Sequence, residues 1–385
     1  MRDPDVLVIG GGVAGLFCAY HLRRAGAGVA VLERGPVGGP QSCSAGNTGF
    51  VGTHGAAVPA LLDMKRHSLE MLRELCASGP LADTFAAPGM IIAYRTAPEF
   101  EQARRAVPSL VARGIPMRVL APGELSALEP GLEFAVHGAT YNEEGAYLRV
   151  PGFLRELANV LRDMNVKIHP DTEALDVEVT GRTVRQVRTT RGEFRPKALV
   201  LAGGAWSAQL AGKLGIRLPL RPVRGHAVTV DAPAPRRPVT LGEAVLAIAP
   251  TGAGFRVGGG RELVGFDGAV SPRQVDGMLR TVRQYLPHLL GLGRAAPTQA
   301  WTGFRPTTPD GVPFIGRAGP YQNLYVACGH GHIGMGLAPA GGRLLAQLVA
   351  GERPDLDPAP FQPGRYDNSP YDNPYDSPYD NGGRP

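Results

Sequence analysis

The chain has 385 residues, 43% of them hydrophobic, which is more than one ordinary core holds and suits two intergrown domains. Its formal charge of +6 sits on basic residues that are scattered in runs no longer than two, so no nucleic-acid patch is expected. No apolar run approaches the roughly 18 residues that cross a bilayer, which leaves peripheral association as the one form of membrane contact expected. The four cysteines lack a CxxC spacing, against both a disulfide framework and a zinc site. A reducing cytosol fits that pattern, and the N-terminus lacks the basic region of a secretory signal.

In chain order, DVLVI at 5–9 reads as a buried strand, 13–25 as a helix and 28–33 as a second strand, a βαβ unit of about thirty residues. Residues 60–77 carry apolar positions at helical spacing. GMIIAYRT then reads as strand, APEFEQARRAVPSLVARG as helix and ATYNEEGAYLRV as turn and strand. A helix at 151–164 leads to VKIHP, a hairpin pattern and an apolar strand at 198–202. From 222 to 298 the pattern is antiparallel sheet, with a surface loop at 231–238 and a helix at 271–286. The end returns to strand, loop and helix. The expected fold class is therefore α/β with α+β: a Rossmann-type dinucleotide domain that the chain leaves twice for an interleaved antiparallel-sheet domain. The expected boundaries are 1–80, 149–221 and 299–352 for the first and 81–148 and 222–298 for the second. A tail at 363–385, with a Tyr-Asp-Asn/Ser unit starting at 366, 371, 375 and 379, has no apolar face and is expected to be disordered.

Gly10, Gly12 and Gly15 form GxGxxG between the first strand and the helix. The first glycine permits the tight turn, the second a close approach to pyrophosphate, and the third close helix–strand packing. Val13 and Ala14 open the helix, whose free N–H groups and dipole favour phosphate. Glu33, ending the second strand, is placed to accept hydrogen bonds from a ribose diol, and Arg34 beside it to meet a polar edge of the nucleotide. This constellation binds an ADP half and does not separate FAD from NAD; the acidic residue disfavours NADP.

Four further segments, in order, resemble the FAD-dependent D-amino acid oxidase superfamily, especially glycine oxidase and bacterial D-amino acid dehydrogenase. They are GGPQSCSAGNTGFV, KALVLAGGAWS, WTGFRPTTPDGVPFIG and GHGHIGMGLAPAGG, and the resemblance runs from about residue 4 to 352. It implies FAD. Ser42, Gly46, Asn47, Thr48 and Gly49 would lie under the flavin ring, Ala174 would meet adenine, and Ala202, Gly203, Gly204 and Trp206 would line a second cofactor turn. Gly329, His330, Gly331, His332, Ile333 and Gly334 would lie against the isoalloxazine. Some relatives attach flavin through a Cys two residues before the equivalent of Arg305; here Gly303 stands there, so FAD is expected to be non-covalent.

Arg305 is the expected substrate-carboxylate clamp, since a guanidinium offers two parallel hydrogen bonds; the competing expectation is a structural pair with Asp310. Arg221 and Arg224 are candidates for an acidic-substrate entry or for ordinary pairing. His330 and His332 make a His-x-His without flanking acids or cysteines, so no metal is expected. His332 falls where glycine oxidase has a second carboxylate-binding arginine; with Arg305 it is the candidate catalytic pair, its role open. Ala247 replaces that enzyme's pocket tyrosine, which implies a roomier pocket for a larger side chain or a cyclic amine. Phe50 is either a pocket wall or a core residue.

The implied activity is oxidation of the CH–NH bond of a small amino acid by hydride transfer to flavin N5. The substrate would be a D-amino acid, a D-proline- or hydroxyproline-like imino acid or glycine, and the imino acid formed is hydrolysed to a keto acid and an amine or ammonia. Oxygen, or a quinone or partner protein, would take the electrons. The alternative is a flavoprotein subunit of a multi-subunit opine- or proline-type dehydrogenase.

Overall fold

The computed structural model describes residues 3–53, 58–252, 254–289 and 297–367. The strand Val6–Ile9, helix Val13–Arg24 and strand Val29–Leu32 form the βαβ unit read from the sequence. All three are largely buried, which is why the two strands read as unbroken apolar runs rather than alternating ones. They lie in a six-stranded sheet ordered Phe314–Arg317, Leu324–Cys328, Ala198–Leu201, Val6–Ile9, Val29–Leu32, Lys167–His169. Every pairing in it is parallel except that between Phe314–Arg317 and Leu324–Cys328.

The helix Gly334–Ala350 packs against Val13–Arg24 and Pro59–Leu75 over this sheet, and its residues Leu337, Leu344 and Leu345 belong to the same buried core as Leu16 and Phe17. On its other face the sheet buries Leu7, Leu199 and Leu201 with residues of a three-stranded meander spanning 174–194.

The second body is an eight-stranded sheet ordered Pro297–Thr307, Arg221–Val230, Phe255–Glu262, Leu246–Pro250, Val239–Leu241, Met90–Tyr94, Gly138–Asn142, Met117–Leu120. Its pairings are antiparallel except Val239–Leu241 with Met90–Tyr94. Helix Pro272–Tyr285, capped by the Ser271 hydroxyl accepting from Gln274 N–H, covers it with Val275, Leu279 and Val282. The expected fold class, a dinucleotide-type parallel sheet with an interleaved, mainly antiparallel one, is the fold observed. The expected boundary at 299 falls inside the strand Pro297–Thr307, which pairs with Arg221–Val230 along its length. No helix among the described residues is long and apolar enough to cross a membrane.

The expected tail needs a correction. Residues 363–367 are not structureless: Pro363–Tyr366 is a short 3₁₀ helix, and Tyr366, the first tyrosine of the repeat, is buried. Arg365 supplies the reason. Its guanidinium donates to both oxygens of Asp310 at 2.8 and 3.0 Å and to the Val312 carbonyl at 2.6 Å, and lies over the Phe314 ring. Composition alone could not reveal that an acid 55 residues upstream anchors the segment. The rest of the tail, 368–385, lies outside the described residues.

Burial raises the Asp310 pKa, but the hydrogen bonds and charge of Arg365 outweigh it and hold the carboxyl below its usual range. The stabilisation from this pair is therefore full at neutral pH and is lost only as pH falls through that depressed pKa. Arg365→Ala should lower unfolding free energy by about 1–3 kcal/mol at neutral pH. Denaturant titration at pH 7 and at pH 3 reads this as a gap between wild type and variant that narrows in acid.

Candidate active site

Two adjoining cavities meet at Cys43 and Asn47, which line both. The first begins beside Thr172, Glu173 and Ala174, passes Glu33 and Arg34, and follows Gly10, Gly12, Val13 and Ala14 at the start of helix Val13–Arg24. It continues past Ser42 and Ser44 on one side and Ala202, Gly203, Gly204 and Trp206 on the other, ending at His330, Gly331 and Gly334.

Gly10 has φ 115°, and a Cβ there would collide with the Ala202 carbonyl, so the turn requires glycine. Gly15 does not reach the cavity; a Cβ on it would collide with the Gly10 carbonyl oxygen, and its absence lets helix and strand approach. Glu33 turns its carboxylate onto this loop, accepting from Gly11 N–H at 2.6 Å and Gly35 N–H at 3.3 Å. The Ser44 hydroxyl accepts from Val13 N–H at 3.1 Å. Arg34 stacks 3.7 Å over the Trp206 ring.

At the far end, Gly331 has φ 54° and open space where a Cβ would sit, so backbone rather than side chain faces the cavity. The helix Gly334–Ala350 starts there without a side-chain cap; Gly336 N–H donates back to the Ile333 carbonyl at 3.0 Å, and no described side chain caps the turn. An elongated channel with an acidic residue, a glycine turn and two helix N-termini along it fits a flavin dinucleotide: pyrophosphate at 10–14, polar nucleotide edge near Glu33, ring near 329–334.

The second cavity, of about 530 Å³, is lined by Gly46, Thr48, Phe50, Ala247, Arg305, His332 and Ile333, among others. Strand Pro297–Thr307 separates the two. Phe304 and Pro306 face the first cavity and Gly303 and Arg305 the second, as the alternation of a strand requires. Arg305 does not pair with Asp310, which belongs to Arg365. Its guanidinium donates to the carbonyls of Gly260 at 2.6 Å and Gly259 at 3.1 Å, and Gly225 leaves the room it occupies. Burial lowers its pKa; Cys43 opposes that shift, and the charge of Arg261 adds to it.

Phe50 and Ala247 lie on the cavity wall, whereas Gly49 and Gly329 do not line either cavity. Gly49 instead donates its N–H to the Asn47 side chain at 2.7 Å, and Gly329 packs under Thr308. Arg224 is held by Glu262 at 2.9 Å and Asp267 at 3.0 Å; neither it nor Arg221 lines the cavity, so the entry reading fails for both.

Sequence reasoning missed four residues. Lys65 is buried against the second cavity, and burial lowers its pKa to about 8. A signal existed, since it stands on the apolar face of its helix between Leu61 and Ser68. Arg256 donates to the Ala45 carbonyl at 2.9 Å and to the Asn47 carbonyl at 3.4 Å, fixing the loop between the cavities. Arg261 and Cys43 complete the set.

His330 is buried, and desolvation alone brings its pKa down to about 4. His332 is exposed where it opens to the second cavity; desolvation by the protein around it, then the charges of Arg261, Arg305 and Lys65, push its pKa to about 4 as well. Both imidazoles are thus neutral at pH 7. A lowered base pKa makes the unfolded chain bind more protons, so stability is full above the ordinary histidine value and falls as pH drops toward 4. His330→Gln should flatten the loss of unfolding free energy between about pH 6.5 and 4 by up to ~3 kcal/mol, measured by denaturant titration across that range.

Residues 5–348 match the FAD dependent oxidoreductase family, DAO. The chain is 31% identical over 365 residues to the glycine oxidase of Pseudomonas aeruginosa, covering 93% of this chain and 98% of that protein. It is 29% identical over 422 residues to the D-amino acid dehydrogenase of Cereibacter sphaeroides, covering 94% and 95% respectively. In three dimensions it superposes on the glycine oxidase of Geobacillus kaustophilus with a TM-score of 0.83 at 27% identity, covering 95% of this chain and 99% of that one. The comparisons do not favour a subunit of a multi-subunit dehydrogenase. The family resemblance carried by the four sequence motifs is borne out, and the chain belongs to the FAD dependent oxidoreductases.

Proposed function

We propose that the chain oxidises the CH–NH bond of a small amino or imino acid whose carboxylate is held by Arg305. The observation that carries this reading is a cationic fork at the cavity wall with two neutral carbonyls as its partners and no acid paired to it among the described residues. A carboxylate is the natural counter-charge, since charge-assisted bonds to it are roughly twice as strong as those to a carbonyl. The relatives named glycine oxidase and D-amino acid dehydrogenase support the same class of substrate.

FAD, when bound, supplies the two-electron acceptor, and the absence of a cysteine at Gly303 supports non-covalent binding. The residues proposed to hold it are Gly10, Gly12, Val13, Ala14, Glu33, Arg34 and Ser42 for the nucleotide and pyrophosphate. Ala174, Ala202, Gly203, Gly204 and Trp206 flank it, with Asn47, Thr48, His330, Gly331, Ile333 and Gly334 about the ring. The protein's own part is placement. The Gly259 and Gly260 carbonyls fix Arg305, which fixes the substrate carboxylate and so the direction of its Cα–H.

The substrate gives up that hydrogen with its bonding pair and a proton from nitrogen, becoming an imine. Water then adds and an amine or ammonia leaves. No side-chain base at Cα is needed, in keeping with a cavity that has no aspartate or glutamate on its described walls. His332, neutral at pH 7, is proposed to line the substrate space.

Anaerobic titration with glycine, D-alanine, D-proline and their L-counterparts should bleach the oxidised flavin band with one of them, and readmitted air then shows whether oxygen is the acceptor. Arg305→Ala should reduce kcat/KM by about two to four orders of magnitude while flavin absorbance of the purified protein persists. Undiminished turnover in that variant would remove Arg305 from the role.

A further inference from the structure

Three cations line the substrate cavity, Lys65, Arg261 and Arg305, with neutral His332, and none of its described lining residues is acidic. One carboxylate answers one of these charges. Arg261 follows directly on Gly260, whose carbonyl anchors Arg305, so the two guanidiniums are tied to one turn of the strand Phe255–Glu262. The Arg261 side chain is exposed to the cavity side and makes no ion pair or side-chain hydrogen bond with another described residue. The adjacent acid cannot neutralise it: Glu262 is held by Arg224 at 2.9 Å and by His226 at 2.7 Å.

One side of the wall is small, with Gly225, Gly258, Gly259, Ala244 and Ala247, although Phe50, Leu246, Trp301 and Ile333 also line the cavity; at about 530 Å³ it leaves length beyond the first carboxylate site. An unpaired cation beside a partly desolvated one is unfavourable unless an anion joins them. On the reading of Arg305 given above, we propose that the substrate is a dicarboxylic amino or imino acid, its α-carboxylate on Arg305 and its second carboxylate on Arg261.

The test compares kcat/KM for the D- and L-forms of aspartate and glutamate with those for glycine, D-alanine and D-proline, in wild type and Arg261→Gln. The proposal expects an acidic substrate to lead in wild type, and the acidic-to-neutral ratio to fall at least about tenfold in the variant. A second readout needs no turnover: at fixed ionic strength, succinate and glutarate should raise the melting temperature of the FAD-loaded protein more than acetate and butyrate do, and Arg261→Gln should abolish that difference.

Neutral substrates turning over well, with no preference for diacids in either assay, would overturn the dicarboxylate inference and leave amino-acid oxidation standing. Diacids that stabilise through Arg261 while no amino acid bleaches the flavin would support the two-anion site and overturn the oxidation chemistry. An acidic-to-neutral ratio unchanged by Arg261→Gln would show the second charge to be read elsewhere, and the assignment to Arg261 would fall.

Discussion

A strand sends alternate side chains to opposite faces, and in Pro297–Thr307 that pleat sets the relation between the two halves of the site. Phe304 and Pro306 close the channel fitted to a dinucleotide, while Arg305, one residue away, enters the substrate cavity. The strand cannot shift by one residue without exchanging these faces, and its register against Arg221–Val230, with Arg305 opposite Val223, prevents such a shift. The separation of the two cavities along this strand is therefore a property of the eight-stranded sheet.

Around this strand the electrostatics divide into charges with counter-ions and charges without. Arg224, Arg365 and the Arg237–Glu129 pair are answered by carboxylates and hold structure together. Arg256 is answered by backbone carbonyls of 45 and 47, an arrangement that fixes the loop between the cavities without bringing an acid near it. Arg305 is answered in the same way, but at a wall, where its remaining donors have room to meet a ligand. Keeping acids away from this space preserves its positive potential. Burial at this wall lowers the pKa values of Lys65 and Arg305.

The neutral state of His330 and His332 follows from the same environment. Desolvation dominates for both, and for His332 the neighbouring cations add to it. The His-x-His pair is divided by the fold: His330 lines the first cavity and His332 the second, with Gly331 making the turn between them.

The sequence by itself determined the parallel βαβ unit, the glycine turn with Glu33 and the family, because these depend on local spacing: apolar runs, a fixed interval of glycines, and a motif order that survives at low identity. It also singled out Arg305, Phe50 and Ala247, all of which line one cavity. Only the tertiary structure decided who meets whom. Asp310 sits five residues after Arg305 yet pairs with Arg365, and Arg261 and Lys65, almost two hundred residues apart in the chain, face the same space. Nor could composition mark Tyr366 as buried, since the ion pair that anchors its segment joins residues 55 apart in the chain. Periodicity and motif spacing encode what a segment does with its own backbone; charge pairing is set by through-space distances that arise once separate segments pack.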